Sequence, residues 1–251
     1  MADDLGLSAS VDRGILDAVA AGRLRAVSVL AAGPTAGAVT AALRGAERVP
    51  ASSVHLSLGG ARPLAFVARE VLALPAPARV RAEVRRQVEA ARVQGLVPTR
   101  LDSHRHLSFP RATFRAVCAE ARALGLREVR RPVPLGTLRV GRGAVGLVKG
   151  ALLAVAGLAT RGLPRAYGLD APDGFADLEV VDGWVRRGRL PRSVRGRLLE
   201  VVAHPALGPD DVPRSERGPD RAGDARRLVD LAGRLEAMGV VVRDGRRLDP
   251  A

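Results

Sequence analysis

Every histidine of this chain lies at or near the end of a short apolar run that is typical of a β-strand: His55, His104, His106 and His204. Asp102 precedes two of them in the stretch 101–106, and a consecutive pair, Asp3 and Asp4, follows the first two residues. Two imidazoles and one carboxylate, with one coordination position left open, suit a catalytic Zn²⁺ or a related divalent ion. Such an ion activates water and polarises a carbonyl group, and a second carboxylate could act as general base on that water.

Each of these signals has a simpler structural interpretation when it is taken alone. An Asp-Asp pair is most often a helix cap or a solvated turn, His55 could be a hydrogen-bonded core residue, and His204 before Pro205 could cap a strand. Ser103 beside His104 could be an activated nucleophile, but no Gly-x-Ser-x-Gly turn surrounds it. The shared position of these residues at strand ends favours a metal site over coincidence.

The Asp3-Asp4 pair needs a change in backbone direction if both carboxylates are to reach one site. Adjacent residues of a strand point to opposite faces of the sheet. Gly6 follows closely in the sequence, and we therefore expect a bend in this segment.

Strands and helices alternate in the predicted structure. Apolar runs predict strands at about 26–31, 53–58, 99–103, 128–131, 199–204 and 240–242, with amphipathic helices between most of them. This order is typical of an α/β fold in which right-handed crossovers bring the carboxyl ends of parallel strands to one face. A length of 251 residues is common for a TIM-barrel-like (β/α) barrel, whose chemistry lies on that face. We expect residues 1–251 to form a single domain.

The excess of basic residues has two interpretations. Forty Lys and Arg against 26 Asp and Glu give a net charge of +14, which a nucleic acid or a membrane surface could neutralise. Acidic residues are interspersed among the arginines, and aromatic residues make up only 2%, so that few side chains could stack on bases. We therefore predict a solvated arginine coat and no nucleic-acid partner.

Neither a secretory leader nor a membrane span is predicted. No basic-then-apolar segment opens the chain and Cys118 is its single cysteine, so that a cytoplasmic protein without disulfides is expected. The most apolar region, about 143–158, is interrupted by Lys149 and by glycines. This interruption favours a packed or lid helix over a membrane span.

Segments 2–8 (ADDLGLS), 55–58 (HLSL) with 62–64 (RPL), 98–106 (PTRLDSHRH) and 200–205 (EVVAHP) occur in an order and spacing that extend over nearly the whole chain. In these segments the chain resembles the YdjC-like carbohydrate deacetylases, also called the ChbG/HpnK family. The region from about 133 to 190 resembles them least.

The resemblance implies a polysaccharide-deacetylase-like (β/α) barrel, often a homodimer, that hydrolyses a linear amide C–N bond. It implies removal of the N-acetyl group from an amino sugar, either chitooligosaccharide-like or on a glycolipid, by water that a divalent metal, Zn or Mg, activates to attack the acetamide carbonyl. Carried over by position, the metal ligands would be Asp4, His55 and His104. Asp3 would be the general base, His204 would be an acid or orient the substrate, and His106, Arg130 and Arg131 would contact the substrate.

Differences from the family bear on the site and on the first strand. Arg100 and Ser108 stand where the family usually has histidine, which reshapes the pocket without removing a ligand. Family members also carry an apolar strand before the Asp-Asp pair, whereas Met1 and Ala2 alone precede it here. We therefore expect the barrel to lack its first strand, either because the chain has an open seam or because its start has been assigned too late.

Two other functions remain open at this stage. The altered pocket and the missing strand are consistent with a degenerate, non-catalytic relative that binds a sugar or a protein partner. An arginine-rich nucleic-acid binder would show an affinity that falls steeply with salt, and the scarcity of aromatic residues disfavours it.

Overall fold

The computed structural model describes residues 1–46, 51–59, 65, 77–138, 140, 143–208, 210–213, 216 and 220–242. Segment 62–64 of the resemblance lies outside these residues. The strands found within them are β1 (Ala2–Leu5), β2 (Ala26–Val29), β3 (Ala51–Leu56), β4 (Arg100–Ser103), β5 (Glu128–Val129), β6 (Gly174–Asp177) and β7 (Leu199–Val202). β1 to β5 form one parallel sheet in chain order, and β6 and β7 form a second parallel pair.

Helices connect successive strands, as the alternating sequence pattern predicts. The α-helices of the described residues are α1 (Ala9–Ala20), α2 (Ala36–Arg44), α3 (Pro77–Val93), α4 (Arg111–Ala123), α5 (Gly143–Thr160), α6 (Leu163–Ala166), α7 (Leu178–Arg186), α8 (Arg221–Arg227) and α9 (Leu231–Glu236). Short 3₁₀ helices follow β4 at His104–His106 and precede β7 at Arg192–Val194. The predicted α/β class with a parallel sheet is confirmed.

The first strand of the sheet carries the two aspartates itself. β1 is buried along its whole length and pairs with β2 on one side. On its other side, the backbone N–H of Asp3 donates to the oxygen of Ala203 at 2.9 Å, and the N–H of Ala203 donates to the oxygen of Met1 at 2.9 Å. The predicted loss of the first strand is therefore not confirmed, because Ala2–Leu5 occupies a position between β2 and the segment that follows β7.

Isolated bridges to the connecting segments, rather than continuous ladders, lie between the sheet of β1 to β5 and the β6–β7 pair. Parallel bridges join Glu128 to Asp170 and Pro134 to Phe175, and a third joins Ala2 to Ala203. Closure of the strands into a barrel stays a prediction, as does the assignment of the chain to a single domain.

The core consists of aliphatic side chains between strands and helices. The central strands β2, β3 and β4 are buried on both faces, which is the usual situation for parallel sheets. α3 buries Val80, Val84 and Val88 at four-residue intervals, in agreement with the amphipathic pattern of the sequence.

One strand prediction is wrong, and two elements have no counterpart in the sequence prediction. β6 and α7 lie within the region from about 133 to 190, for which the sequence predicts only the apolar helix at about 143–158. The strand predicted at 240–242 is not formed, because the N–H of Val240 instead caps α9 by donating to the oxygen of Leu235 at 3.1 Å, and the side chain of Val241 is 78% exposed.

One helical segment, Gly146–Ala166, is long and apolar enough to cross a membrane by length and composition, with a mean hydropathy of 1.3. A third of its most apolar window (33%) is buried in the protein. Length and composition are weak criteria when a helix also packs against its own protein, and the absence of a membrane span stays a prediction.

Two helical glycines provide a test of the packing that positions the carboxyl ends of β1 and β7. A Cβ on Gly14 of α1 would lie 2.7 Å from the Cα of Ala206, whereas a Cβ on Gly37 of α2 would meet nothing within 4 Å. Gly14→Ala must therefore push the segment after β7 away from α1, and we expect it to lower the free energy of unfolding by about 1–3 kcal/mol.

Gly37→Ala is the matched control for this substitution. It should leave the free energy of unfolding unchanged or raise it by up to ~1 kcal/mol, because alanine has the higher helix propensity. Urea denaturation of both variants checks the pair, and equal effects at the two positions would contradict the close approach.

Candidate metal centre

Three strands of the same parallel sheet, β1, β3 and β4, bring the candidate residues together at their carboxyl ends. Asp3 and Asp4 belong to β1, His55 belongs to β3, and His104 begins the 3₁₀ helix that follows β4. Asp102 of β4 is the direct register neighbour of His55. The structure thus assembles four of the residues predicted from the sequence, because parallel strands end on the same side of a sheet.

The backbone of β1 turns at Asp4, which lets consecutive aspartates serve one site. Asp4 has a φ of 71°, in the left-handed region, and the pairing of β1 with β2 shifts register across this residue. Gly6 also has a positive φ, of 99°. The bend expected from the sequence is present, although it is centred on Asp4 rather than on Gly6. Aspartate tolerates this conformation better than most residues, at a cost of roughly 1–2 kcal/mol.

Three potential metal-ligand atoms, from Asp4, His55 and His104, form a triangle. The Oδ1 atom of Asp4 lies 3.3 Å from Nε2 of His55 and 3.0 Å from Nδ1 of His104. The two imidazole nitrogens are 3.2 Å apart. A tetrahedral Zn²⁺ with bonds of about 2.0–2.1 Å separates its ligand atoms by about 3.3–3.4 Å. The spacing of the three atoms therefore fits a tetrahedral ion that keeps a fourth position open.

One oxygen of Asp4 has the two imidazoles as its close neighbours but no hydrogen bond of good geometry. Its Oδ1 atom is buried and has no partner with hydrogen-bond geometry, whereas its Oδ2 atom accepts a hydrogen bond from Nη2 of Arg221 at 2.6 Å. An unsatisfied buried oxygen is costly, and a cation is a partner that would satisfy it. Burial alone would raise the pKa of Asp4, but the imidazoles of His104 and His55 hold it well below its usual range.

Asp102 orients the imidazole of His55 through the ring nitrogen that faces away from Asp4. Its Oδ1 atom contacts Nδ1 of His55, and its carboxylate also accepts hydrogen bonds from the hydroxyls of Ser28 and Ser53, each at 2.6 Å. A carboxylate on one ring nitrogen fixes the tautomer that presents the other nitrogen to a metal. Nε2 of His55 is therefore the nitrogen available to an ion.

A second group of potential ligands, formed by Asp3, His55 and Asp102, is less suited to a metal. Both oxygens of Asp3 accept hydrogen bonds from Arg130, at 2.6 and 2.8 Å. The Asp102 oxygens are engaged by the two serine hydroxyls and by His55. These atoms already have partners, in contrast to the buried Asp4 Oδ1.

Arg130 lies at the centre of a buried chain of charges. Besides Asp3, its guanidinium contacts Glu200 through Nε at 2.7 Å. Glu200 in turn accepts a hydrogen bond from Arg100 at 2.5 Å, and Arg100 lies 3.0 Å from Glu128. Arg100 is one of the differences from the family pattern. Through Glu200 it belongs to the same ion-pair network as Arg130.

Two of the remaining predicted site residues, His106 and His204, interact electrostatically with this centre. His106, with a φ of 60°, is buried and its ring stacks on Phe175 with a centroid distance of 4.1 Å. Burial, reinforced by Lys149, lowers its pKa well below the usual range, which keeps it neutral. His204 is half-buried, and its backbone N–H donates to Asp224 at 2.8 Å.

Arg131 has a different environment from Arg130. Its guanidinium donates to the backbone oxygens of Asp173 at 2.9 Å and Gly157 at 3.2 Å, and among the described residues it is not brought to the Asp4–His55–His104 group. This contact connects the end of β5 to α5.

Sequence reasoning assigned no site role to four residues that contact the candidate site. Asp102 and Glu200 gave a signal, since each is a carboxylate inside a short apolar strand. Arg221 and Glu216 gave none, because they come from a region rich in Pro, Gly, Asp and Arg that is typical of a surface loop. Glu216 lies 3.2 Å from Nε2 of His104 and contacts Arg105.

The contact from Asp102 to His55 predicts an effect on metal affinity. Asp102→Asn should weaken Zn²⁺ binding by about 10–100-fold, because a neutral amide orients His55 less strongly than a carboxylate. A competition titration with a chromophoric chelator measures this affinity. The exposed substitution Asp17→Asn is the charge-matched control and should leave it unchanged; an equal affinity in both variants would remove Asp102 from the site.

The charge environment of the imidazoles predicts how binding depends on pH. Burial alone would lower the pKa of His55, but the carboxylates of Asp3 and Asp102 outweigh it and raise this pKa to about 10. The pKa of His104 is also raised, because Asp4 and Glu216 outweigh its burial. In the metal-free protein both rings are therefore protonated below their raised pKa values, and a metal must displace those protons.

We accordingly expect Zn²⁺ binding near pH 7 to release at least about one proton per ion and to strengthen as the pH rises toward 10. Titration calorimetry in buffers of different ionisation enthalpy counts the protons. An affinity that does not change between about pH 6 and 8.5 would contradict the protonated state of His55.

Comparisons with known proteins agree with this fold. The profile of the family described as YdjC-like protein matches residues 1–233. No curated protein matches the chain. A candidate cellobiose-phosphate cleavage protein from Enterococcus faecalis has a similar structure, with a TM-score of 0.64, 18% identity and coverage of 96% of this chain and 94% of that one.

A lactam utilization protein from Thermus thermophilus is similar with a TM-score of 0.50, 17% identity and coverage of 97% of this chain and 98% of that one. At these identities the two solved structures show the fold alone. The profile match, however, extends over residues 1–233 of 251. The chain belongs to the YdjC-like protein family.

Proposed function

We propose that this protein is a metal-dependent hydrolase that removes the N-acetyl group from an amino sugar, chitooligosaccharide-like or carried on a glycolipid. The observation that supports it most directly is the triangle of Asp4, His55 and His104, with its unsatisfied Asp4 oxygen. Membership of the YdjC-like family supports a carbohydrate substrate. A cytoplasmic location and a homodimer stay predictions from the sequence.

In this proposal Asp4, His55 and His104 hold a divalent ion. Two imidazoles and one carboxylate favour Zn²⁺ over Mg²⁺, because Mg²⁺ prefers an all-oxygen octahedral environment. When bound, such an ion would act as a Lewis acid, which polarises a carbonyl group and lowers the pKa of a water molecule bound to it.

The chain's own residues would then move the protons. Asp3 is placed to accept a proton from the attacking water, since it lies beside His55 and is held at both oxygens by Arg130. The water oxygen forms a bond to the acetamide carbon, and the C–N bond breaks. His204 on the neighbouring strand end would give a proton to the departing amine, so that acetate and the free amino sugar result.

Arg130 has a different role in this proposal from the one expected of it. A guanidinium that is buried and paired with Asp3 and Glu200 has little capacity to contact a sugar directly. We propose that it positions the Asp3 carboxylate instead, while His106 contributes to the wall of the substrate pocket.

Metal content and acetate release together test the proposal. We expect near-stoichiometric divalent metal in the purified protein and none in the His55→Ala/His104→Ala variant, because two of three ligands are then lost. Asp3→Asn should keep the metal and lose roughly 10²–10⁴-fold in the rate of acetate release from N-acetylated chitooligosaccharides. Asp17→Asn on the exposed side of α1 is the control.

The outcomes separate the competing functions. Metal in the double-alanine variant would contradict the ligand assignment. Bound metal without acetate release from any N-acetylated sugar offered would favour the non-catalytic relative, which binds a sugar or a partner without turnover.

A further inference from the structure

The helix α5 presents an apolar face to solvent. Five large aliphatic side chains lie on it with exposed fractions between 56% and 77%: Leu147, Val148, Leu152, Val155 and Leu158. Leu147 and Val148 are adjacent and the others follow at spacings of three or four residues, which places all five along one side of the helix. We call this set the α5 apolar face. A contiguous exposed apolar patch on an otherwise polar surface is typical of an interaction site.

The opposite side of α5 is fixed to the protein. A Cβ on Gly150 would lie 1.7 Å from the backbone oxygen of Leu138, and a Cβ on Gly157 would lie 2.7 Å from the side chain of Val133. Leu153 is buried in a cluster with Phe175, whose ring stacks on His106. Because these contacts tie α5 to the body of the protein, the helix meets a partner with one face only.

The charged residues toward the C-terminal end of this face are basic. From Leu147 to Leu169 the sequence contains Lys149, Arg161 and Arg165 and no Asp or Glu. At the C-terminal end of α5, exposed Arg161 follows Leu158 by one turn, and exposed Arg111 donates to the backbone oxygen of Ala159. Within the described part of the chain, neither Arg111 nor Arg161 forms an ion pair.

We propose that the α5 apolar face lies on the surface of a bilayer that contains anionic phospholipids. Apolar side chains that enter the acyl boundary, with arginines at the level of the phosphates, are the features of an interfacial helix. A second copy of this chain fits less well, because it would bring two arginine-rich borders together. The proposal is independent of the hydrolase reaction.

Docking would place the candidate site close to the lipid headgroups. α5 separates the apolar face from the Phe175–His106 stack by the width of one helix. A protein held in this way would reach sugars carried on membrane lipids more readily than sugars free in solution.

Co-sedimentation of the full chain with lipid vesicles tests the proposal. We expect binding to vesicles of phosphatidylcholine with phosphatidylglycerol, weak binding to phosphatidylcholine alone, and a loss of binding as salt rises. Val155→Glu/Leu158→Glu should reduce the partition coefficient at least about tenfold, because it places two charges in the apolar face.

The matched control is Val93→Glu/Val97→Glu, which replaces two valines that are 88% and 82% exposed at the end of α3 and after it. It should bind vesicles about as well as the parent, and circular dichroism should show that both variants are folded. Absence of binding to anionic vesicles, or equal loss in the two variants, would overturn the proposal.

A parent that is dimeric in light scattering and does not bind vesicles, with a monomeric Val155→Glu/Leu158→Glu variant, would also overturn the proposal. That result would assign the face to contacts between copies of the chain.

Discussion

The candidate site depends on the placement of one buried imidazole between two carboxylates. His55 contacts Asp102 through Nδ1 and faces Asp4 through Nε2, and all three side chains are almost completely buried. Buried charges are stable only when each has a partner, and loss of one partner typically costs about 3–5 kcal/mol. Arg221 on Asp4 and Arg130 on Asp3 supply the compensation that makes so many buried carboxylates possible.

The backbone of β1 contributes to the candidate site as much as the side chains do. The left-handed conformation of Asp4 breaks the alternation of β1, so that neighbouring aspartates can approach His55 from the same strand. Such conformations persist only where surrounding contacts enforce them, and they are concentrated at functional sites. β1 receives this support from β2 on one side and from Ala203 on the other.

Much of this arrangement could be predicted from local sequence. Short apolar runs near His55, Asp102 and His104 predicted strands β3 and β4. Because the sheet is parallel, the carboxyl ends of these strands lie together. The contribution of Arg221 could not be predicted, since it depends on a contact across 217 positions of sequence. Likewise, β6 lies in a region whose Gly and Pro content is typical of loops, and its strand conformation depends on pairing with β7 and on a bridge to Pro134. The strand predicted at 240–242 is not formed, because none of the described strands pairs with this apolar run and the N–H of Val240 caps α9 instead.

The pairing of β1 with the segment after β7 also has a consequence for synthesis on the ribosome. The backbone N–H of Asp3 donates to the oxygen of Ala203, and the amino group of Met1 donates to the oxygen of Val201. Each of these hydrogen bonds joins residues that are 200 positions apart. Until β7 has emerged from the exit tunnel, one edge of β1 is unpaired, and Arg130 lacks Glu200. Contacts of such high sequence separation form late and slowly. The nascent chain therefore keeps one edge of β1 without its native partner until most of the chain has been synthesised.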